Sequence, residues 1–235
     1  MRSLFLFVLI LIAVATQADP GFEANVFWDK ALKENVNDDG IVNYESFRSN
    51  ASFAKAIELY ESSAPGSSWT REETMAYWIN VYNAFTVQLI LDHYPIKSIT
   101  KIPNAWDKKF INIGDKVYTL NQIEHEILRP TYKDPRIHFA VNCASFSCPK
   151  LHNKAFRAET LNKDLEMLTK EFVNDPRRNN LDGKNIKVSK LFEWYAEDFT
   201  KGQTVIDFLN KYANTPIDPK ARLGYMEYNW NLNNR

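Results

Sequence analysis

Apolar side chains recur along the chain at two spacings, and the switches between them predict the elements. Phe22–Lys33 has the three- and four-residue steps of a helix. Thr70-Arg71-Glu72-Glu73 has the form of a capping box, and Pro95 ends the helix it opens. On that helix Met75, Trp78, Tyr82, Phe85 and Leu89 form one apolar face, and Ala76, Val87 and Ile90 make the opposite side apolar as well. A helix apolar on nearly all sides is predicted to be central and buried. Asn80 and Asn83 stand one turn apart within it. A buried amide without partners costs on the order of 1–3 kcal/mol. Both are therefore expected to pin a neighbouring backbone or to line a pocket.

Further along, Phe110–Ile113 and Lys116–Tyr118 flank Gly114-Asp115, a hairpin pattern. Thr119-Leu120-Asn121-Gln122 is a second capping box, opening a short helix that runs to Arg129-Pro130. The 100° step puts Glu124 inside its apolar face, between Leu120 and Leu128, with His125 at the edge. A carboxyl there is expected to pair with a cation such as Arg136 or Arg129, or else to titrate high. Arg136–Val141 alternates as a strand, with Ile137, Phe139 and Val141 on one side and Arg136 and His138 on the other. A helix over Glu159–Phe172, a strand over Asn185–Val188, a helix capped by Ser189, a helix over Thr204–Tyr212 and a strand over Gly224–Trp230 complete the pattern. Helices and short strands mix without βα repetition. The class is α+β: several helices around a central buried helix, with a small antiparallel or mixed sheet.

The first 18 residues read as a secretory leader, with Arg2, an apolar run over Leu4–Val14 and the small-residue exit Thr16-Gln17-Ala18. The run is short of the roughly 20 residues a membrane span needs. The expected mature protein is therefore exported, periplasmic or extracellular, without a transmembrane segment, and globular over 19–235. Ser62–Ser68 (SSAPGSS) separates an N-terminal subdomain, 22–66, from the main body, 67–235. Basic and acidic residues number 29 each. That balance gives no electrostatic footprint for nucleic acid, leaving a small molecule or peptide as the expected ligand. The loop around Asn35–Ser46 resembles a calcium loop, but Ser46 stands where a bidentate Glu is required. Asp39-Gly40 reads better as a tight turn feeding a strand over Ile41–Tyr44.

Candidate chemistry concentrates in residues 134–152, DPRIHFAVNCASFSCPKLH, which hold both cysteines and two of the four histidines. Cys143 is a candidate nucleophile, with His138, His125 or His152 as base and Glu124 or Asn80 as orienting group. Asn83, Arg136, Asn142 and Ser145 are candidate binding residues. The alternative is a non-enzymatic binding domain whose Cys143–Cys148 disulfide shapes the loop. A redox pair lacks the two-residue spacing of thioredoxin-like motifs. Metal binding by the cysteines with His138 or His152 lacks the spacing of a zinc finger or ribbon. No metal or other cofactor is expected.

TMAYWINVYNA (74–84), LNQIEHEILR (120–129), the 134–151 segment, SKLFEWYAEDF (189–199) and YNWNLN (228–233) together resemble the domain of unknown function 547, and VNDDGIVNY (36–44) looks like its opening segment. The resemblance covers roughly residues 25–233. It implies a domain without a settled activity. Its polar motif positions are Asn80, Asn83, Glu124, His125, Arg136, His138, Asn142, Cys143, Ser145 and Cys148.

Overall fold

Side-chain caps decide where the second and third helices start. The computed structural model describes residues 20–234, so the predicted leader lies outside the described residues. Helix α1 spans Pro20–Asn35. The Asn43 side chain then caps α2, Tyr44–Arg48, and Asn50 caps α3, Ala51–Ser62. Because Asn43 starts a helix, the strand expected over Ile41–Tyr44 shrinks to single bridges from Val42 to Val36 and Asn234. Asn37 accepts from the Ile41 N–H. Gly40 has φ +75°, and a Cβ there would lie 2.4 Å from the Lys150 Cβ, so this turn is pressed against the chain leaving the cysteine segment.

Helix α4, Arg71–His93, carries the predicted capping box: Thr70 and Glu73 satisfy each other's backbone N–H groups. Fifteen of its residues are buried, which fits its all-round apolar pattern. The hairpin forms as β1, Ile111–Ile113, against β2, Lys116–Tyr118. Thr119 and Gln122 bond reciprocally. The helix they open is π-helical over Gln122–Leu128, with the Arg129 N–H reaching back five residues to the Glu124 carbonyl, and it continues as α5, Arg129–Tyr132.

The strand expected over Arg136–Val141 is not formed. Pro135–Phe139 is a 3₁₀ helix. Pro135 fixes φ in its first turn, and the Asp134 carboxylate accepts the Arg136 N–H. Ile137 through Val141 are all buried, so the alternation had no solvent face to report. A short apolar run cannot separate the two conformations.

Helix α6, Leu161–Val173, precedes β3, Asn185–Val188, which pairs in parallel with β4, Arg222–Tyr225. Between them lie α7, Leu191–Trp194, α8, Ala196–Phe199, and α9, Val205–Asn210. The last strand was expected to reach Trp230, but it ends at Tyr225. Beyond it the chain crosses the cysteine segment, with Phe146 N–H on Asn231 O, Ser147 N–H on Asn229 O and Asn233 N–H on Ala144 O. The class is α+β, with helices and two small two-stranded sheets. A continuous apolar core runs from Ala24 to Leu232. No described helix is long and apolar enough to cross a membrane.

Candidate functional site

The central helix fixes the backbone on either side of Cys143. Asn83, 2% exposed, accepts the Asn142 N–H at 2.8 Å and donates to the Ala140 carbonyl at 2.9 Å. Asn142 in turn donates to Pro149 O and accepts the Ala144 N–H, closing the loop on itself. Ala144 follows the thiol with φ +61°, a left-handed conformation that costs a non-glycine residue on the order of 1 kcal/mol. That elbow leaves Cys143 half-buried, while its neighbours Asn142, Ala144 and Ser145 are buried.

Cys143 and Cys148 are not bonded. Their sulfurs stand 3.1 Å apart, against about 2.05 Å for a disulfide, so the pairing proposed from the compartment gives way to two thiols sharing a hydrogen bond. The Cys143 sulfur also meets Ser145 Oγ at 3.2 Å and Tyr228 Oη at 3.5 Å. The Cys148 contact is the main influence lowering the Cys143 thiol to about 7. Burial opposes it, and Ser145 and Tyr228 add to the lowering. Cys148 is pushed well up, chiefly by burial. Of the two sulfurs, Cys143 ionises first.

His138 is 2% exposed and is held on both sides. Its Nε2 lies 2.8 Å from Asp198 Oδ2, and the Tyr195 ring sits 4.0 Å from its own. The remaining nitrogen, Nδ1, is 4.0 Å from Glu124 Oε1. Asp198 also accepts from Arg129 Nε at 2.6 Å. The His138 hydrogen bond and Arg129 together hold the Asp198 carboxyl well below the usual range. Glu124, 4% exposed, accepts from Tyr82 Oη at 3.0 Å. Burial and the nearby Glu124 push the Tyr82 and Tyr195 hydroxyls up, so both stay protonated donors.

These groups share one cavity of about 330 Å³. Cys143, Cys148, His138 and Glu124 line it together with Tyr82, Tyr195 and Tyr228, and Trp106, Trp194 and Trp230 are also in its wall. An apolar cavity with a few convergent polar groups is the usual form of a small-molecule site. The site combines an ionisable thiol with an imidazole oriented by a carboxylate. His138 and Cys143 are not hydrogen-bonded to each other, and both face the same space.

Other expected residues fall elsewhere. Asn80, fully buried, bonds Asn25 Oδ1 and both the N–H and carbonyl of Phe156, and it does not line the cavity. His125 is exposed and accepts from Arg129 Nη1. Arg136 chelates Asp134 and reaches Glu166 at 3.3 Å, and Arg129 serves Asp198. Neither arginine is the partner foreseen for Glu124, whose neighbours are tyrosines and His138. Glu124 is buried with Leu120 and Leu128, on the apolar face its spacing assigns. His152 is 5% exposed with neither ring nitrogen hydrogen-bonded. Among the described residues no group of three or more His, Cys, Asp or Glu is placed to hold a metal ion. Asp198, Tyr195, Tyr228 and the three tryptophans were not singled out from periodicity. Five of the six, however, lie within the EWYAED and YNWN stretches that carry the family resemblance.

Residues 66–173 match the model of a family described as protein of unknown function, DUF547. The match covers α4, the π-helical segment and the cysteine elbow, a little under half of the chain. No curated protein matches the chain, and neither does any solved structure.

Proposed function

We propose that the protein is a cysteine-dependent hydrolase or acyltransferase with Cys143 as nucleophile. One observation carries this reading: a half-buried thiol lowered to about 7 opens onto the cavity that also holds an Asp198-oriented histidine. Near pH 7 about half of such a thiol is thiolate, against a few per cent for an ordinary cysteine. The thiolate adds to the carbonyl carbon of a bound acyl compound. The leaving group departs with a proton from His138 Nδ1, and a thioester remains on Cys143. Water or a second acceptor, deprotonated by the same imidazole, then releases the acyl group. Asp198 serves as the orienting group, a part first considered for Glu124 or Asn80. Tyr228 supplies a hydroxyl donor for developing negative charge, since the Cys143 and Ala144 N–H groups are already taken and the Tyr82 and Tyr195 hydroxyls are engaged with Glu124. The leader-like segment at 1–18 favours an exported protein, and N-terminal sequencing of the mature chain near Asp19 tests that part.

Incubation with p-nitrophenyl acetate tests the chemistry. One equivalent of nitrophenol should be released in a burst, with the acetyl group found on Cys143 by mass spectrometry. Cys143→Ala should show no burst. Equal acetylation of Cys143 and surface lysines, with no burst, would return the domain to the non-enzymatic binding reading.

A further inference from the structure

We infer that the ligand bound in this cavity carries a cationic ammonium group, seated against the indole and phenol rings at its mouth. The inference concerns the substrate class of the site and, for catalysis, rests on the nucleophile reading above. Binding itself does not need the thiol.

Three observations point the same way. The first is the set of walls. Trp106 and Trp230 meet nearly edge to face, with centroids 5.9 Å apart and planes at 75°. Trp194 lies 5.8 Å from Trp230 and 4.8 Å from Tyr228. Ring faces carry the negative side of the aromatic quadrupole, and Trp is the strongest cation acceptor among them. Secondly, acidic groups outnumber basic ones, His138 being the one lining residue able to carry a positive charge. Asp107 and Glu124 line the cavity, the Cys143 thiolate joins them above about pH 7, and no Lys or Arg is among the lining residues. Arg129, 5.1 Å over the Tyr195 ring, is engaged with Asp198 and His125, and Arg178 lies over the Phe146 ring at 4.7 Å. An anionic ligand would meet these carboxyls with only His138 to offset them, and that imidazole already faces Asp198 and Glu124. Thirdly, Trp194 is 46% exposed, one of the few large apolar side chains left open in the described structure. Asp107, exposed beside Trp106, is oriented by Asn121 Nδ2 at 2.7 Å. A carboxylate and exposed ring faces at the same opening suit an alkylammonium, whose charge and methyl groups are both satisfied there. A neutral aromatic hydrocarbon would use the rings and leave the carboxylates without a role.

The test compares choline with its neutral isostere 3,3-dimethylbutan-1-ol, titrated into the full chain and followed by tryptophan fluorescence. Both wild type and Cys143→Ala are titrated. Choline should bind about ten-fold or more tightly than the isostere, as a partly desolvated cation–π contact implies, and should do so in both proteins. Trp194→Ala removes a half-exposed ring, so the fold should survive while the preference falls several-fold. Asp107→Asn should act in the same direction and flatten the salt dependence. Equal affinity for the two compounds, or no saturable response to choline, overturns the inference. A preserved choline preference without any acetylation of Cys143 would instead remove the nucleophile reading alone. Acetylation of Cys143 without a choline preference would remove only the ligand class.

Discussion

Two buried histidines, fourteen residues apart, occupy opposite kinds of surroundings. His138 is 2% exposed and fully engaged, with Asp198 at 2.8 Å, Glu124 at 4.0 Å and the Tyr195 ring against its face. His152 is 5% exposed and packs near Phe156, and neither nitrogen has a hydrogen-bond partner. Burying an imidazole without partners costs free energy, whereas placing it between two carboxyls fixes its tautomer and orientation. The cavity region is arranged around polar groups that have partners. The region just past Pro149 is a packed core in which a histidine serves mainly as a ring. In this protein burial of a histidine therefore says little about chemistry, and its partners say more.

Replacing each ring in turn gives the largest expected contrast. His138→Asn should slow release of the acetyl group from Cys143, the steady phase after the burst, by about 10²–10⁴-fold, the usual contribution of a general acid–base group. His152→Phe should leave that rate within two-fold. A stopped-flow burst assay reads both, and equal rates for wild type and His138→Asn would remove His138 from the mechanism.

The two asparagines of α4 allow a second comparison between the regions. Asn80 ties α1 and the Phe156 backbone to the helix, and Asn83 ties down the elbow. Leucine at either position orphans buried backbone groups and should cost about 1–3 kcal/mol in urea unfolding. Only Asn83→Leu should also slow alkylation of Cys143 by iodoacetamide, because only Asn83 holds the residue before the thiol. Equal slowing in both variants would mean that the elbow answers to global stability and not to its own clamp.

That pairing also shows how far the sequence could be read. The all-round apolar pattern of α4 marks Asn80 and Asn83 as buried and partnered, because a polar residue inside a long periodic helix has nowhere else to go. The capping boxes at Thr70 and Thr119 and the hairpin at Gly114-Asp115 follow from local chemistry and were equally legible. The 134–141 stretch was not. Five consecutive buried residues erase the difference between period two and period three, and the turn depends on Pro135 and the Asp134 cap. The same limit hid the geometry of the site, since a strand would have pointed His138 away from Cys143. Asp198 comes from sixty residues downstream and could be found only through tertiary structure. The π-helical form of Gln122–Leu128 leaves no trace in spacing.

Removing the partner sulfur should have a smaller and more local effect. Cys148 supplies the main influence lowering Cys143 to about 7. In Cys148→Ala the alkylation midpoint should rise toward the ordinary thiol value of about 8.5, while the rate at pH 10 stays unchanged. Ser145→Ala should move it less. An unmoved midpoint in Cys148→Ala would shift the credit to Ser145 and Tyr228.

The smallest effect isolates the second histidine. Burial lowers the His152 imidazole below its usual range, opposed by Asp164 and Glu171 and assisted by Lys150 and Lys154. A histidine of lowered folded-state affinity binds its proton more readily in the unfolded chain, so the unfolded state holds more protons below about pH 6.5. The contribution is complete above that value. As pH falls from 6.5 the folded state loses stability, until the pH passes below the folded-state value and the loss levels off. The lowered carboxyls Asp175, Asp198 and Asp207 act in a different window, since their contributions begin to fade only near the ordinary carboxylate value of about 4. Between pH 7 and pH 5 the difference in melting temperature between wild type and His152→Phe should therefore widen in favour of the variant. A chain of this size moves by about 2–4 °C per kcal/mol. Parallel melting curves across that range would mean that His152 finds a partner, such as a buried water, and that the contrast with His138 is one of chemistry more than of satisfaction.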